Sequence, residues 1–409
     1  MEGSAPVAQQ LVASRPKPGT PSLLRELNDR AALELLLAEG PLTRAQLSER
    51  TGVSKVTGSQ VLARLEERGL VMIAGQQAGG RGPNAALYAV VPTSAYVAGL
   101  YVELDQVSAA VADVTGRRVA EVTVDPNGAD DPVGMVVGAI RAACGSAGIG
   151  LSRLAAVVIG SPGVLDPNTG APRLAVNLPT WHEGVLDGLR DVLHTPVVIE
   201  NDVNLAAMAE RADGAAAGQD DFAFVWLGGG LGLATVMGGT VLRGSGGAAG
   251  EIGWLPVHGT MLPSGDEHPG KAGLQALAGG WAVQALAAEH GFGGGAPDEA
   301  VARAVAAGPG GEAFLDEVAH RVSIGVAAIC TVLDPGLVVL GGTVGRAGGA
   351  ALAARVAAGV PRICLARPTV VPTRSGEEPV LRGAMLAALE QARAGLLGSL
   401  GDSVTQVSE

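Results

Sequence analysis

The sequence predicts an α/β protein in two parts: a small helical head closed by a β-hairpin, and a long body in which a three-strand meander followed by α/β units occurs twice. Three observations carry this. The 409 residues exceed one ordinary domain. Before residue 92, helix caps and apolar spacing describe three short helices and two strands. From Tyr96 onward, glycine-punctuated strands alternate with helical stretches.

Met1 to Thr20, with Pro6, Pro16 and Pro18, reads as a disordered tail, and residues 21–92 as the head. Leu23, Leu24, Leu27, Ala31, Leu35 and Leu36 recur at helical spacing until Gly40-Pro41 stops the helix. Thr43 is a good N-cap, and Gln46 three residues on completes a capping box for a short helix holding Ala45 and Leu47. Gly52 can end that helix in a left-handed conformation. Ser54 then caps a second helix whose Val61, Leu62 and Leu65 face inward. Gly58 stands where an inward apolar residue is usual, at a cost of about 1 kcal/mol of helix propensity. After Arg68-Gly69, Leu70 to Ile73 reads as a strand, Gln76 to Pro83 as a glycine-rich tip, and Leu87 to Val90 as the returning strand.

A short helix, a glycine turn, a second capped helix and a hairpin make the winged helix-turn-helix pattern. In that geometry Lys55, Thr57, Ser59 and Gln60 project from the start of the second helix. With Arg44, Ser54 and Arg64 they form the candidate DNA-contact set, since small polar groups and cations suit base edges and phosphates. Arg81, between glycines at the wing tip, is placed to enter a minor groove.

Charge supports this division. Residues 21–92 carry eight Lys/Arg and seven Asp/Glu, whereas residues 93–409 carry 18 and 32, a net −14. A phosphate backbone repels the body, so operator DNA, the expected partner, must be gripped by the head. Cys144, Cys330 and Cys364 lie far apart in apolar contexts and read as reduced thiols, neither a disulfide nor a metal framework. No apolar run is long enough for a membrane span, and the N-terminus lacks a signal peptide's apolar stretch. The expected location is therefore cytoplasmic.

In the body, Val97 to Leu104, Val107 to Val114 and Val119 to Val124 form the first meander, followed by a helix around Val133 to Ala147. Strands at Ala155 to Ile159 and Pro196 to Ile199 come next. Phe222 to Leu227, Gly232 to Met237 and Val241-Leu242 repeat the meander, and Val338 to Leu340 ends in Gly341-Gly342. This duplication predicts a two-lobed actin/ribonuclease-H-like domain over 93–409, with ligands in the cleft between lobes near 93–215 and 216–375, and a terminal helix over 378–397.

Six segments in order give the body a family resemblance. They are Ile159 to Asp166, Asn177 to Trp181, Glu200 to Asn204, Leu227 to Gly232, Gly250 to Gly253 and Leu333-Asp334-Pro335. Over roughly residues 22–395 the chain resembles the ROK family of repressors, unassigned reading frames and sugar kinases. The resemblance implies a sugar-kinase-type fold with sugar held by Asn177, Asn201, Asp202 and Glu251, Asp202 being the position of the kinases' base. Amides and carboxylates together offer the donors and acceptors that vicinal hydroxyls require. The bland alternative is that Asp202 only caps the helix from Val203.

Three departures bear on activity. Where family kinases carry Asp-x-Gly-Gly-Thr to approach ATP, this chain has Tyr101-Val102-Glu103-Leu104-Asp105, with side chains for both glycines and one of them anionic. Trp254 replaces the histidine that the resemblance assigns to both structural zinc and sugar; its indole could stack on a sugar face or fill the pocket. The family's cysteine loop aligns with His268 to Gln275, which has no cysteine, and His258 with His268 cannot complete a tetrahedral site, so neither metal nor cofactor is expected. Gln275 replaces a sugar-contacting glutamate. The expectation is a non-enzymatic, repressor-type regulator of carbohydrate-related genes with a possible sugar or sugar-derivative effector, acting as a homodimer or homotetramer. A sugar kinase with a DNA-binding head, and a regulator answering to a protein partner instead of a sugar, stay open.

Overall fold

A computed structural model of the chain describes residues 21–78, 84–103, 105–126, 131–166, 169, 172–174, 184–263, 270 and 272–402. It divides into two compact units. One holds the residues up to Ser94 together with those from Ala394 on, and the other holds Ala95–Arg393.

The first unit contains α1 (Pro21–Glu39), β1 (Leu42–Thr43), α2 (Arg44–Thr51), α3 (Lys55–Glu67), β2 (Val71–Gln77) and β3 (Ala85–Val90). The strands pair antiparallel in the order β1-β3-β2. Local chemistry sets each boundary as the sequence predicts. Thr43 and Gln46 close a full capping box, Gly52 ends α2 at φ 74°, and the Ser54 hydroxyl accepts from the Thr57 amide at 3.1 Å. Gly58 is buried where α2 and α3 meet; a Cβ there would stand 2.3 Å from the Ser48 hydroxyl, which would have to turn aside to admit it. The stripe of α1 differs from the sequence periodicity. Asp29, Ala32, Leu33 and Leu36 are buried, whereas Leu23, Leu24 and Leu27 are exposed, because only the second half of α1 builds the core with α3.

The second unit begins with β4 (Tyr96–Val102), β5 (Val107–Asp113), β6 (Arg118–Val124), α4 (Pro132–Ser146), β7 (Leu154–Ser161), β8 (Val164–Leu165), β9 (Pro172–Leu174), α5 (Val185–Leu193), β10 (Val197–Asn201) and α6 (Asp202–Asp213). The second lobe follows with β11 (Phe222–Leu227), β12 (Leu231–Met237), β13 (Thr240–Val241), α7 (Gly273–Ala278), α8 (Gly280–Glu289), α9 (Pro297–Ala306), α10 (Glu312–Leu333), β14 (Leu337–Gly341), α11 (Gly342–Gly359) and β15 (Thr369–Pro372), and α12 (Pro379–Asp402) is the last element among the described residues. The two main sheets run β10-β7-β4-β5-β6 and β13-β12-β11-β14-β15. In each, three strands form an antiparallel meander and two more join in parallel beside the first, so the expected duplication is observed.

Each sheet has an outer core of its own, under α4 and α5 in the first lobe and under α7 to α11 in the second. A third core lies between the sheets, where α6 and α12 pack against Val97 and Val158 of one and Phe224 and Val339 of the other. Helix α12 enters it on glycine: a Cβ on Gly383 would lie 1.9 Å from the Leu205 carbonyl oxygen of α6, which makes Gly383 obligatory. The terminal helix corrects the predicted domain limits. It runs five residues past 397 to Asp402, and from Ala394 it belongs with the head unit. The cause is the need to cover its end: Leu400 is buried, and the Ser399 carbonyl accepts from the Arg68 guanidinium at 2.8 Å.

Gly383→Ala is expected to destabilise the protein by about 3 kcal/mol, the upper end of overpacking costs, because the obstacle is backbone that cannot swing aside. Urea denaturation followed by circular dichroism checks this; a cost under about 1 kcal/mol would show that α6 and α12 can separate freely.

Candidate functional site

The head presents its candidate DNA residues unequally. Lys55 and Gln60 are exposed on the first two turns of α3. Ser54 and Thr57 are occupied with each other as the helix cap, their hydroxyls 2.9 Å apart. The Ser59 hydroxyl donates to the Lys55 carbonyl at 3.0 Å and accepts from the Arg44 guanidinium at 3.1 Å, so α2 and α3 present these groups as a joined set. Arg64 departs from the predicted DNA set. Its guanidinium forks onto buried Asp29 of α1, through Nε to Oδ2 at 2.9 Å and a second bond to Oδ1, which raises the Arg64 pKa and ties α1 to α3. A cation needed to answer a buried carboxylate is not free to leave for a phosphate. Arg81 lies outside the described residues.

In the body, β7 and β10 are parallel neighbours with Ser161 opposite Asn201, so their carboxyl ends open at one place. Asn201 is the N-cap of α6. Its Oδ1 accepts from the Asn204 amide at 3.1 Å, and its Nδ2 donates to the Gly163 carbonyl at 3.1 Å. The capping role therefore falls to Asn201, which leaves Asp202, the first residue of α6, without that duty. The Asp202 side chain accepts from the Val203 amide at 2.9 Å, and no ion pair reaches it among the described residues. Burial pushes its pKa up to about 7, with the nearby carboxylates of Glu251 and Glu103 adding to the rise.

Glu251 follows Gly250, whose φ of 101° and close approach to the Leu233 carbonyl require glycine. Burial raises the Glu251 pKa too. Trp254 ends the adjoining 3-10 turn Ile252–Trp254 and is half-buried. Asn177 and Trp181 lie outside the described residues. A cavity of about 390 Å³ opens beside Asn201, Asn204, Asp166 and Arg243, large enough for a small polar ligand; Asp202 and Glu251 are not on its wall.

The β4–β5 turn is anionic. Glu103 is hydrogen-bonded by the Tyr101 hydroxyl, and burial followed by the charge of Asp105 raises its pKa. The cavity beside it is only about 150 Å³ and is edged by Glu103, Glu377 and Glu378 with Arg346. No group of three potential metal ligands occurs among the described residues.

Several residues escaped the sequence reading. Glu200, buried in β10, accepts from the Asn201 amide and from Asn204 Nδ2 through Oε1. Its Oε2 takes Arg243 of the other lobe at 2.6 Å. Nothing local links positions 200 and 243, so no sequence signal could have paired them. Gln275 is buried and spans the β11–β12 turn, its Oε1 accepting from the Leu231 amide at 2.9 Å and its Nε2 donating to the Gly229 carbonyl at 3.0 Å. It serves as a turn brace. Val56, in the first turn of α3, is 70% exposed.

Two family models match the chain: ROK family over residues 97–391 and MarR family over 27–82. The chain is similar to a glucokinase of Halalkalibacterium halodurans, 31% identical over 222 residues, which is 48% of this chain and 64% of that protein. It is also similar to the xylose repressor of Bacillus subtilis, 26% identical over 249 residues, 58% of this chain and 62% of the repressor. The matched stretch thus spans less than two thirds of either relative. Among solved structures, a ROK family transcriptional regulator described as a homolog of the Escherichia coli MLC protein superposes with a TM-score of 0.73 at 17% identity, covering 92% of this chain and 99% of that one. That likeness establishes the fold of the body together with its winged head.

Two outcomes follow from the geometry. Arg64→Met is expected to cost about 3 kcal/mol, because it strands the buried Asp29 carboxylate, and Asp29→Asn in the same chain should return part of the loss; denaturant unfolding measures both. Asp202→Asn should leave stability unchanged near pH 4, raise it increasingly as pH climbs from there to about 7, and give a constant gain above that. The acid's folded pKa lies above its unfolded value, so its favourable contribution is present at low pH and is lost as pH rises through about 7. Unfolding midpoints of both proteins at pH 4, 6 and 8 test it, and parallel curves would contradict the burial of an unanswered carboxylate.

Proposed function

This chain belongs to the ROK family, and we propose that it is a DNA-binding transcriptional regulator of carbohydrate-related genes, of repressor type, whose effector occupies the cleft between the two lobes. The observation that carries the proposal is the pairing of a fully capped helix-turn-helix exposing Lys55 and Gln60 with a cleft whose phosphate-side turn is anionic at Glu103. The 390 Å³ cavity beside Asn201 supports an effector of sugar size. The carboxylates of Glu103, Glu377 and Glu378 around the space beside the β4–β5 turn oppose a nucleoside triphosphate, which supports a non-enzymatic reading. The protein acts in the cytoplasm as a homodimer or homotetramer, so that paired heads meet two operator half-sites. Effector binding biases the lobes between two arrangements and thereby the affinity of the heads for DNA.

The rival is a sugar kinase that has acquired a DNA-binding head. Asp202 favours it, since a buried carboxylate with a pKa near 7 suits the role of a base.

Selection of full-length protein against random duplex DNA is expected to enrich one sequence. Lys55→Ala should weaken binding to all sequences and lower the salt dependence by about one counterion. A coupled ADP-release assay across hexoses and amino sugars should read no turnover above that of Asp202→Asn; turnover lost in that variant would establish the kinase. Sugars that raise the unfolding midpoint identify the effector class. If none does while DNA selection succeeds, control passes to a protein partner.

A further inference from the structure

Helix α3 buries Gly58, Val61, Leu62 and Leu65. At about 100° per residue, the face opposite that stripe carries Val56, Gln60, Ala63 and Glu67. Val56 is 70% exposed there, while Gln60 and Ala63 are exposed as well. Lys55, Ser59 and Arg44 lie to one side of this face, Ser59 fixed by its bonds to Arg44 and to the Lys55 carbonyl. Thr57 is consumed by the cap. The residues left to enter a groove head-on are therefore an isopropyl group and, one turn later, a carboxamide.

Those two side chains have specific partners in the major groove. A thymine presents its 5-methyl group, the one apolar feature of that surface, and an adenine offers N7 and N6 to the carboxamide of a glutamine. Positions i and i+4 of a helix are about 6 Å apart, which spans neighbouring base pairs. A branched apolar residue at the exposed start of a helix has little local reason to be there: it lowers helix propensity and buries nothing in the protein.

We propose that Val56 is a specificity-determining residue that reads a thymine methyl group in the operator, with Gln60 reading an adenine in the adjoining A·T pair. The inference rests on the regulator reading and deepens it, by naming a thymine-adenine element in each half-site.

The test begins with selection of full-length protein on a random duplex pool. The enriched site is then resynthesised with deoxyuridine replacing each thymine in turn, which removes only the methyl group. One thymine per half-site is expected to be methyl-sensitive, losing about fourfold in affinity per half-site, the value of one buried methyl group. Val56→Ala should bind the thymine and uracil forms equally, with the affinity of wild type for the uracil form. That substitution raises intrinsic helix propensity, so the loss cannot come from a weakened helix. Gln60→Ala should relax the selected sequence at the neighbouring adenine only. An enriched site with no methyl-sensitive thymine, or a sensitivity that persists in Val56→Ala, overturns this inference and leaves the regulator reading standing. Failure to enrich any sequence overturns both.

Discussion

Moving a carboxylate out of water disfavours its charged form by several kcal/mol unless donors or a cation surround it. Much of the structure is arranged around that constraint. Asp29 is answered by Arg64, Asp113 by Thr115 and Arg117, and Glu200 by Arg243 and Asn204. Glu210, fully buried at the end of α6, receives the amides of Ala215, Arg374 and Ser375 and the hydroxyl of Thr373. Each pairing joins or shapes elements: α1 to α3, the β5–β6 turn, one lobe to the other, and α6 to the segment that leads into α12. Asp202, at the start of α6, is answered less fully: backbone amides reach it, while the carboxylates of Glu251 and Glu103 repel it.

Helix α6 is the element on which the cleft depends. Its first turn supplies Asn201 and Asp202, its middle gives the Leu205 carbonyl against which Gly383 of α12 rests, and its end is fastened by Glu210. Because the packing of α12 requires a missing Cβ at Gly383, the two helices behave as a matched pair. The same α12 continues without a break until its last turns are counted with the winged head, where Arg68 holds the Ser399 carbonyl. The head is thereby attached to the body through the chain at both of its ends.

What was legible in the sequence was whatever is decided within a few residues. The Thr43–Gln46 capping box, the left-handed Gly52, the Ser54 cap and the doubled meander all follow from local rules of spacing and conformation. What was not legible is set by contacts that span the chain. Nothing around Arg64 reveals Asp29 thirty-five positions earlier, so a helix-surface arginine was indistinguishable from a DNA contact. The stripe of α1 misled for a related reason, since periodicity shows which residues share a face but not how much of the helix meets a partner. At the start of α6, the sequence offered both Asn201 and Asp202 as caps; deciding which of them caps the helix required coordinates. Val56 was overlooked because apolar residues near the start of a helix are ordinarily core.

The polar groups at the start of α6 and the turns at β4–β5 and β11–β12 are held by separate sets of contacts. Asn201 and Asp202 sit at the carboxyl end of β10 and the start of α6, held by caps and by the Glu200–Arg243 pair. A turn whose backbone must come close to a polyanion tolerates neither side chains nor negative charge. Glu103 introduces both at once in the β4–β5 turn, and its hydrogen bond from Tyr101 makes it part of the fold. Gln275 braces the glycine turn between β11 and β12 from within. These changes do not touch the cap of α6 or the cavity beside it. The polar cavity beside α6 and the turns at Glu103 and Gln275 are therefore built by separate contacts, so either can change without disturbing the other.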